Sequence, residues 1–196
     1  IAGSELFTGH TMFLTLGVKA GTISHGQMWA ILPQTWLGNL VGSVFVALLY
    51  SWGGGSLLPV DTSIVHTVAL AKTTAPATVL FFKGALCNWL VCLAIWMAIR
   101  TEGAAKFLAI WWCLLAFIAS GYEHSVANMT LFALSWFGHH GDAYTLAGIG
   151  HNLLWVTLGN TLSGVVFMGL GYWYATPKAE RPAPAKINQT EATANN

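Results

Sequence analysis

The sequence predicts an all-α membrane protein with interrupted helices. Three observations carry that reading. The 196-residue chain is 55% hydrophobic and 8% charged, whereas a soluble domain carries about 25% charged residues. It holds ten Trp, and its mean hydropathy is +0.60. Residues 107–137 form two apolar arms, FLAIWWCLLAFIAS and MTLFALSWF, separated by GYEHSVAN at 121–128. A helix of roughly 20 apolar residues crosses a bilayer, so this stretch is one broken span or two short ones. Glu123 and His124 sit side by side in the break. Ionisable side chains at mid-membrane depth are costly, and those that occur face a protein interior or a water-filled path.

The chain opens on IAGSELFTGH without a signal-peptide pattern. It reads as cut from a longer parent, starting inside or just after a membrane segment. GSELFTGH at 3–10 is a second polar break of the same kind: Gly, Glu, an aromatic, a hydroxyl residue, then His. Thr11–Val18 is too short to span and reads as the second half of a helix. Trp29–Trp52 is the first full span, with Pro33 near its start. Its Gly38 and Gly42 stand at helix-packing spacing. Pro59 and the polar run Asp61–Thr74 separate it from a span at Ala75–Ile99, which carries Lys83. The broken stretch follows, then a span at Gly150–Tyr174 with Gly159, Ser163, Gly164, Gly169 and Gly171. Trp29, Trp36, Trp52, Trp136, Trp155 and Trp173 lie near span ends, as an interfacial aromatic belt requires. Residues 1–174 are therefore expected to form the transmembrane domain. The tail 175–196 has too little apolar surface to order itself.

Alternating the spans puts Lys19, Arg100, Lys106, Lys178, Arg181 and Lys186 on one side, and Lys72 and Lys83 on the other. The basic side, including the C-terminus, is expected to be cytoplasmic. Residues 51–74 and 138–149 are then external, periplasmic in a bacterium. Net charge is +1, so no nucleic-acid partner is indicated. Cys87, Cys92 and Cys113 lie inside apolar segments, which fits small buried hydrophobes better than disulfides or zinc ligands. His139, His140 and Asp142 lack the spacing of a closed metal site and read as an external loop. His10 and His151 are unassigned. The Asn128 and Asn188 glycosylation patterns fall at membrane depth and on the cytoplasmic side, so neither counts. No metal or cofactor is expected.

Two interrupted membrane helices suggest a pore lined by half-helix ends. Broken backbone at membrane depth is tolerated where protein or a water-filled cavity satisfies it. Half-helix N-termini carry partial positive charge and free N–H donors, and transporters use them to hold anions at the midplane. GSELFTGH alone fits a helix-capping loop at the membrane surface equally well. His124 alone could be a neutral His held by a backbone carbonyl.

The same residues carry a resemblance. GSELFTG at 3–9, GALCNWLVCLA at 84–94, GYEHSVANM at 121–129 and VTLGN at 156–160 resemble, in order, the signatures of the formate/nitrite transporter family. That resemblance implies an aquaporin-like bundle of six spans with inverted-repeat character and two broken helices. It also implies a homopentamer with one pore per protomer in the bacterial inner membrane. This chain would be a fragment lacking the first span and half of the second.

The resemblance further implies a pore histidine at His124, hydrogen-bonded to Thr8. Leu6 and Phe7 would narrow the pore, Val91 and Phe117 would form a periplasmic constriction, and Asn88 and Asn160 would lie near the helix breaks. Lys72 would stand near the periplasmic mouth, drawing anions, with Glu123 as its ionic partner. Without the resemblance, Lys72 reads as a solvated loop lysine, and Leu6, Phe7, Val91 and Phe117 as ordinary apolar side chains. The expected activity is passage of nitrite, with formate preference the nearest alternative, proton-linked through His124. A different class is a membrane redox protein, with His124 and His151 as haem ligands or Glu and His as di-iron ligands. Haem needs facing histidines at matched depth, and these two lie at different depths in their spans.

Overall fold

A computed structural model describes residues 5–55, 63–138 and 141–181, and these form helices and short connections. In chain order the helices are α1 (Phe7–Lys19), α2 (His25–Trp52), α3 (Ile64–Thr73), α4 (Ala77–Ala98), α5 (Gly103–Ala119), α6 (Ser125–Phe137) and α7 (Leu146–Ala175). Helices α2, α4 and α7 are each long and apolar enough to cross a membrane, and α5 and α6 are shorter apolar helices. The four predicted segments and the predicted half-helix are all present, with ends shifted by a few residues. Gly3, Ser4, Pro59, Asp61, His139, His140 and Lys186 lie outside the described residues.

Local chemistry sets the ends. Ser24 and Gln27 form a reciprocal capping box, at 2.8 and 3.1 Å, that starts α2 one turn before Trp29. Helix α5 stops at a Schellman turn. Gly121 takes φ +62°, and the Tyr122 N–H donates to the Phe117 carbonyl at 3.0 Å. The break at 121–124 is thus a built helix end followed at once by a new start, and the apolar stretch becomes two helices.

Two expectations are corrected. The run Asp61–Thr74, read as a polar separator, contains α3. Ser63 caps this helix, and Val65 and Ala69 bury one face of it. Predicted disorder from Ala175 onward also fails for residues 175–181. A 3-10 turn at Lys178–Glu180 follows α7, and Arg181 Nε folds back to the Thr176 carbonyl at 2.9 Å. Hydrogen bonds to free carbonyls at the end of α7 supply the order that apolar burial does not. Residues 182–196 lie outside the described residues.

Burial is inverted relative to a water-soluble fold. Thr8, Thr11, Asn88, Asn152 and Asn160 are fully buried, whereas Val41, Phe82, Trp111 and Trp112 are exposed. Large apolar side chains outside and hydrogen-bonded polar ones inside suit a protein surrounded by lipid. The interior holds together through close helix crossings. A Cβ on Gly159 of α7 would lie 2.1 Å from the Phe81 carbonyl oxygen of α4. A Cβ on Gly164 would lie 1.7 Å from Thr11 Oγ1 of α1. Gly164 belongs to a π-helical segment, Ser163–Leu170, in the middle of α7. Such wide turns recur at functional sites, and this one lays α7 against α1.

The α4–α7 crossing gives a stability prediction. Gly159→Ala must push backbone from backbone and should cost at least about 1–3 kcal/mol. Gly150→Ala, with nothing within 4 Å of its added carbon, should be neutral or slightly stabilising. Thermal unfolding in detergent compares them, and equal midpoints would show that the crossing can relax.

Candidate pore centre

Helices α1 and α6 begin at the same place and run apart. Thr8, in the first turn of α1, lies 3.1 Å from His124, the N-cap of α6. Helix α1 ends at Lys19, 3.1 Å from the Tyr174 hydroxyl near the C-terminal end of α7. Helix α6 runs the other way, to Ser135, which His66 of α3 meets at 2.9 Å. Two helix N-termini therefore face one another at mid-depth.

Each start is held by one buried or half-buried asparagine in the same pattern. Asn160 Oδ1 accepts the Ser125 N–H at 3.0 Å, and its Nδ2 donates to the Glu123 carbonyl at 3.1 Å. Asn39 Oδ1 accepts the Phe7 N–H at 2.9 Å, and its Nδ2 donates to the Glu5 carbonyl at 2.9 Å. Between the two contacts sits an extended residue: His124 at φ −111°, ψ 115°, and Leu6 at φ −120°, ψ 116°. Gly38-Asn39 and Gly159-Asn160 repeat as dipeptides, and Glu5-Leu6-Phe7 matches Glu123-His124-Ser125 in backbone role. Five residues beyond each glutamate stands its next partner. Asn128 Nδ2 meets Glu123 Oε2 at 2.6 Å, and His10 pairs with Glu5. This is the inverted repeat, visible in hydrogen bonds.

Asn88 joins the two halves. Its Nδ2 lies 3.1 Å from the Thr8 carbonyl, 3.1 Å from Thr11 Oγ1 and 2.7 Å from the Asn160 carbonyl. Asn160 Nδ2 also reaches the Gly84 carbonyl at 2.8 Å.

The orientation of His124 follows from its cap. Nδ1 accepts the Ala127 N–H at 3.1 Å. A neutral ring then carries its proton on Nε2, which donates to Thr8 Oγ1. A second proton would have to sit on Nδ1 and would break the cap. Phe117 stacks on the imidazole, with centroids 5.9 Å apart and planes 21° apart.

Glu123 does not face His124's partner. Its Oε1 accepts from Lys72 Nζ at 2.7 Å. Asn128 and Asn152 hold its Oε2, at 2.6 and 3.5 Å. The Lys72 and Glu123 side chains are 19% and 5% exposed, so this is a buried pair rather than a solvated charge. Asn152 also donates to the Lys72 carbonyl at 2.9 Å, which fixes the end of α3.

On the other side of the centre lies a cavity of about 670 Å³, lined by Leu6, His10, Val91, Ile95, Ile99 and Lys106 among others. Leu6 and Val91 form its inner wall. Val91 was expected at the external constriction, but it lies on the side of Ile99 and Lys106, because α4 has already passed mid-depth at Asn88. Phe7 does not line this cavity. It packs with Met28 and Leu32 against Trp36, Val126 and Val165. Successive residues of an extended segment point to opposite faces, so Leu6 facing the cavity turns Phe7 into the core.

His151 Nε2 lies 3.1 Å from the Ala75 carbonyl, far in role from His124, so the two do not form a facing pair. Asn39, Asn128 and Asn152 were missed as site residues. Their only signal in the sequence is an amide standing in an apolar helix.

A family model described as formate/nitrite transporter matches residues 1–174. The chain is 97% identical to a protein of Salmonella typhimurium (strain LT2) described as nitrite transporter NirC. The match covers all of this chain and 73% of that one. A solved structure described as an FNT family ion channel superposes with a TM-score of 0.89 at 98% identity, covering 90% of this chain and 71% of that one. Another, described as a pentameric formate channel with formate bound, superposes with a TM-score of 0.75 at 28% identity, covering 88% and 75%. With two half-helices meeting at a capped histidine, and this match across nearly the whole apolar chain, the protein belongs to the formate/nitrite transporter family.

Proposed function

We propose that this chain carries nitrite across the bacterial inner membrane, through one pore per protomer of a homopentamer with cytoplasmic C-termini. It does so as a transporter and not as an enzyme. The observation that carries the reading is the centre itself: two helix N-termini and the Nε2–H of His124, reached from a cavity through an apolar collar. The names of the close relatives support nitrite as the anion, and the formate channel's name makes formate the nearest competitor.

The chemistry follows from the geometry. A small anion passing Leu6 and Val91 leaves water, and that loss is expensive unless donors replace it. The N-termini of α1 and α6 supply partial positive charge. His124 supplies a proton donor that can exchange Thr8 for the anion. Sharing the Nε2 proton lowers the charge that the collar must accept. Ala127 holds Nδ1 meanwhile, so the ring keeps its orientation throughout. Proton linkage runs through this shared hydrogen bond.

His124→Ala removes donor and cap together. His124→Asn keeps an acceptor for Ala127 but removes the imidazole. Both should lower nitrite flux into liposomes at least about tenfold, the effect of losing a hydrogen bond to a charged group. His124→Asn should remain folded and should flatten the pH dependence. Flux and pH profile unchanged in both would sink the role. The same liposomes with competing formate compare the two anions directly.

Lys72→Met leaves Glu123 buried without its cation and should destabilise the protein by about 3–5 kcal/mol. Adding Glu123→Gln removes the stranded charge and should recover most of that loss. A double variant no more stable than the single one contradicts the pairing. Asn39→Leu strands the Phe7 N–H and the Glu5 carbonyl. It should lower flux several-fold, in the same direction as Asn160→Leu, from about 1–3 kcal/mol lost at each helix start. Normal flux in Asn39→Leu alone would break the equivalence.

A further inference from the structure

At the end of the molecule that carries Lys19, the C-termini of α1, α4 and α7 enclose a pocket of about 280 Å³. Leu16, Gly17, Ala20, Trp96, Thr176 and Trp173 form its walls, and Arg100 and Arg181 complete it. No carboxylate among the described residues lines it. Among the described residues, neither guanidinium has an acidic group within ion-pair distance.

Both arginines are held in place. The Arg100 guanidinium lies 3.4 Å from the centre of the Trp96 ring. A guanidinium on an indole directs its N–H edge sideways, and the Arg100 side chain makes no hydrogen bond among the described residues. Arg181 lies over Trp173 at 5.3 Å and donates to the Thr176 and Tyr174 carbonyls at 2.9 and 3.3 Å. These bonds offset the negative end of α7 and use part of its donor fork. Lys19, on the Tyr174 hydroxyl at 3.1 Å and over the same ring at 5.1 Å, adds a third cation at the rim.

Depth identifies the ligand. The pocket sits where the apolar helices α4 and α7 end, the level at which tryptophans and snorkelling cations meet headgroups. Basic pockets between membrane helices at this level bind acidic headgroups. We propose that this pocket binds the phosphate of an anionic phospholipid of the adjacent leaflet, Arg100 and Arg181 holding the phosphate and Trp96 and Trp173 bracketing the glycerol region. This site is separate from the pore centre and does not depend on the anion carried there.

The test uses the intact protein in bilayer nanodiscs of phosphatidylcholine with phosphatidylglycerol, released into native mass spectrometry. The protein should retain phosphatidylglycerol in preference to phosphatidylcholine. Arg100→Gln and Arg181→Gln should each lower that retention about fivefold, the factor given by ~1 kcal/mol per juxtamembrane charge. Lys178→Gln, outside the pocket, should leave it nearly unchanged. Equal retention of both lipids, or retention unaffected by either arginine variant, overturns the proposal. A second measurement needs no variant. In detergent, short-chain phosphatidylglycerol should raise the melting temperature of the wild-type protein, and short-chain phosphatidylcholine or inorganic phosphate should not. An equal rise with inorganic phosphate means a free-phosphate site and overturns the lipid assignment.

Discussion

Everything at the centre depends on one constraint: a helix that starts at mid-membrane depth exposes N–H groups that lipid cannot satisfy. Here the solution is an amide from a neighbouring helix. Asn39 and Asn160 each accept the first helical N–H and donate to the carbonyl two residues earlier. One side chain thereby fixes both ends of the residue between, and that residue is held extended and aimed inward. Asn88 then ties Thr8 and Thr11 to the Asn160 carbonyl. The glycine crossings serve the same end, because α4 and α7 must approach closely for these short amides to reach backbone.

The frame is symmetric but its contents are not. The two aimed positions are His124 and Leu6, one a proton donor and one an apolar collar. The two glutamates differ as well. Glu123 is buried with Lys72, Asn128 and Asn152, whereas Glu5 is exposed and pairs with His10. One backbone device used twice thus yields a donor on one side and a hydrophobic narrowing on the other. On the proposed function this divides the labour for a small anion, which needs a partner for its charge at one point and exclusion of water at another.

Much of this was legible in the sequence because it was written in runs and motifs. Long apolar segments marked the spans, and two polar breaks marked the half-helices. The break at 121–124 was visible because Gly121, Glu123 and His124 interrupt an otherwise continuous apolar run. What remained hidden has physical causes. Helix α3 is too short to register as a span and carries His, Thr and Lys among its apolar residues. Asn39, Asn128 and Asn152 are single amides without periodicity, and their meaning lies in backbone atoms tens of residues away. The placing of Phe7 and Val91 depends on which way an extended residue points and how far α4 has travelled, and neither is a property of a local string.

On the proposed reading, the Lys72–Glu123 pair would let the centre bind an anion without trapping it. A free lysine so near the pore would hold a monovalent anion strongly in a low-dielectric interior. Here its charge is met by Glu123 at 2.7 Å, and the carboxylate's other oxygen is taken by Asn128 and Asn152. The pair is neutral overall and fixes the end of α3 against the break. The field left for the proposed anion would come from partial charges: two helix N-termini and the Nε2–H of His124, stacked on Phe117 and held by Ala127. Such donors offset part of the dehydration cost without adding a full countercharge. Passage requires binding strong enough to admit the ion and weak enough to release it, and under the proposed function a site built from dipoles around an internally neutralised ion pair would meet both demands.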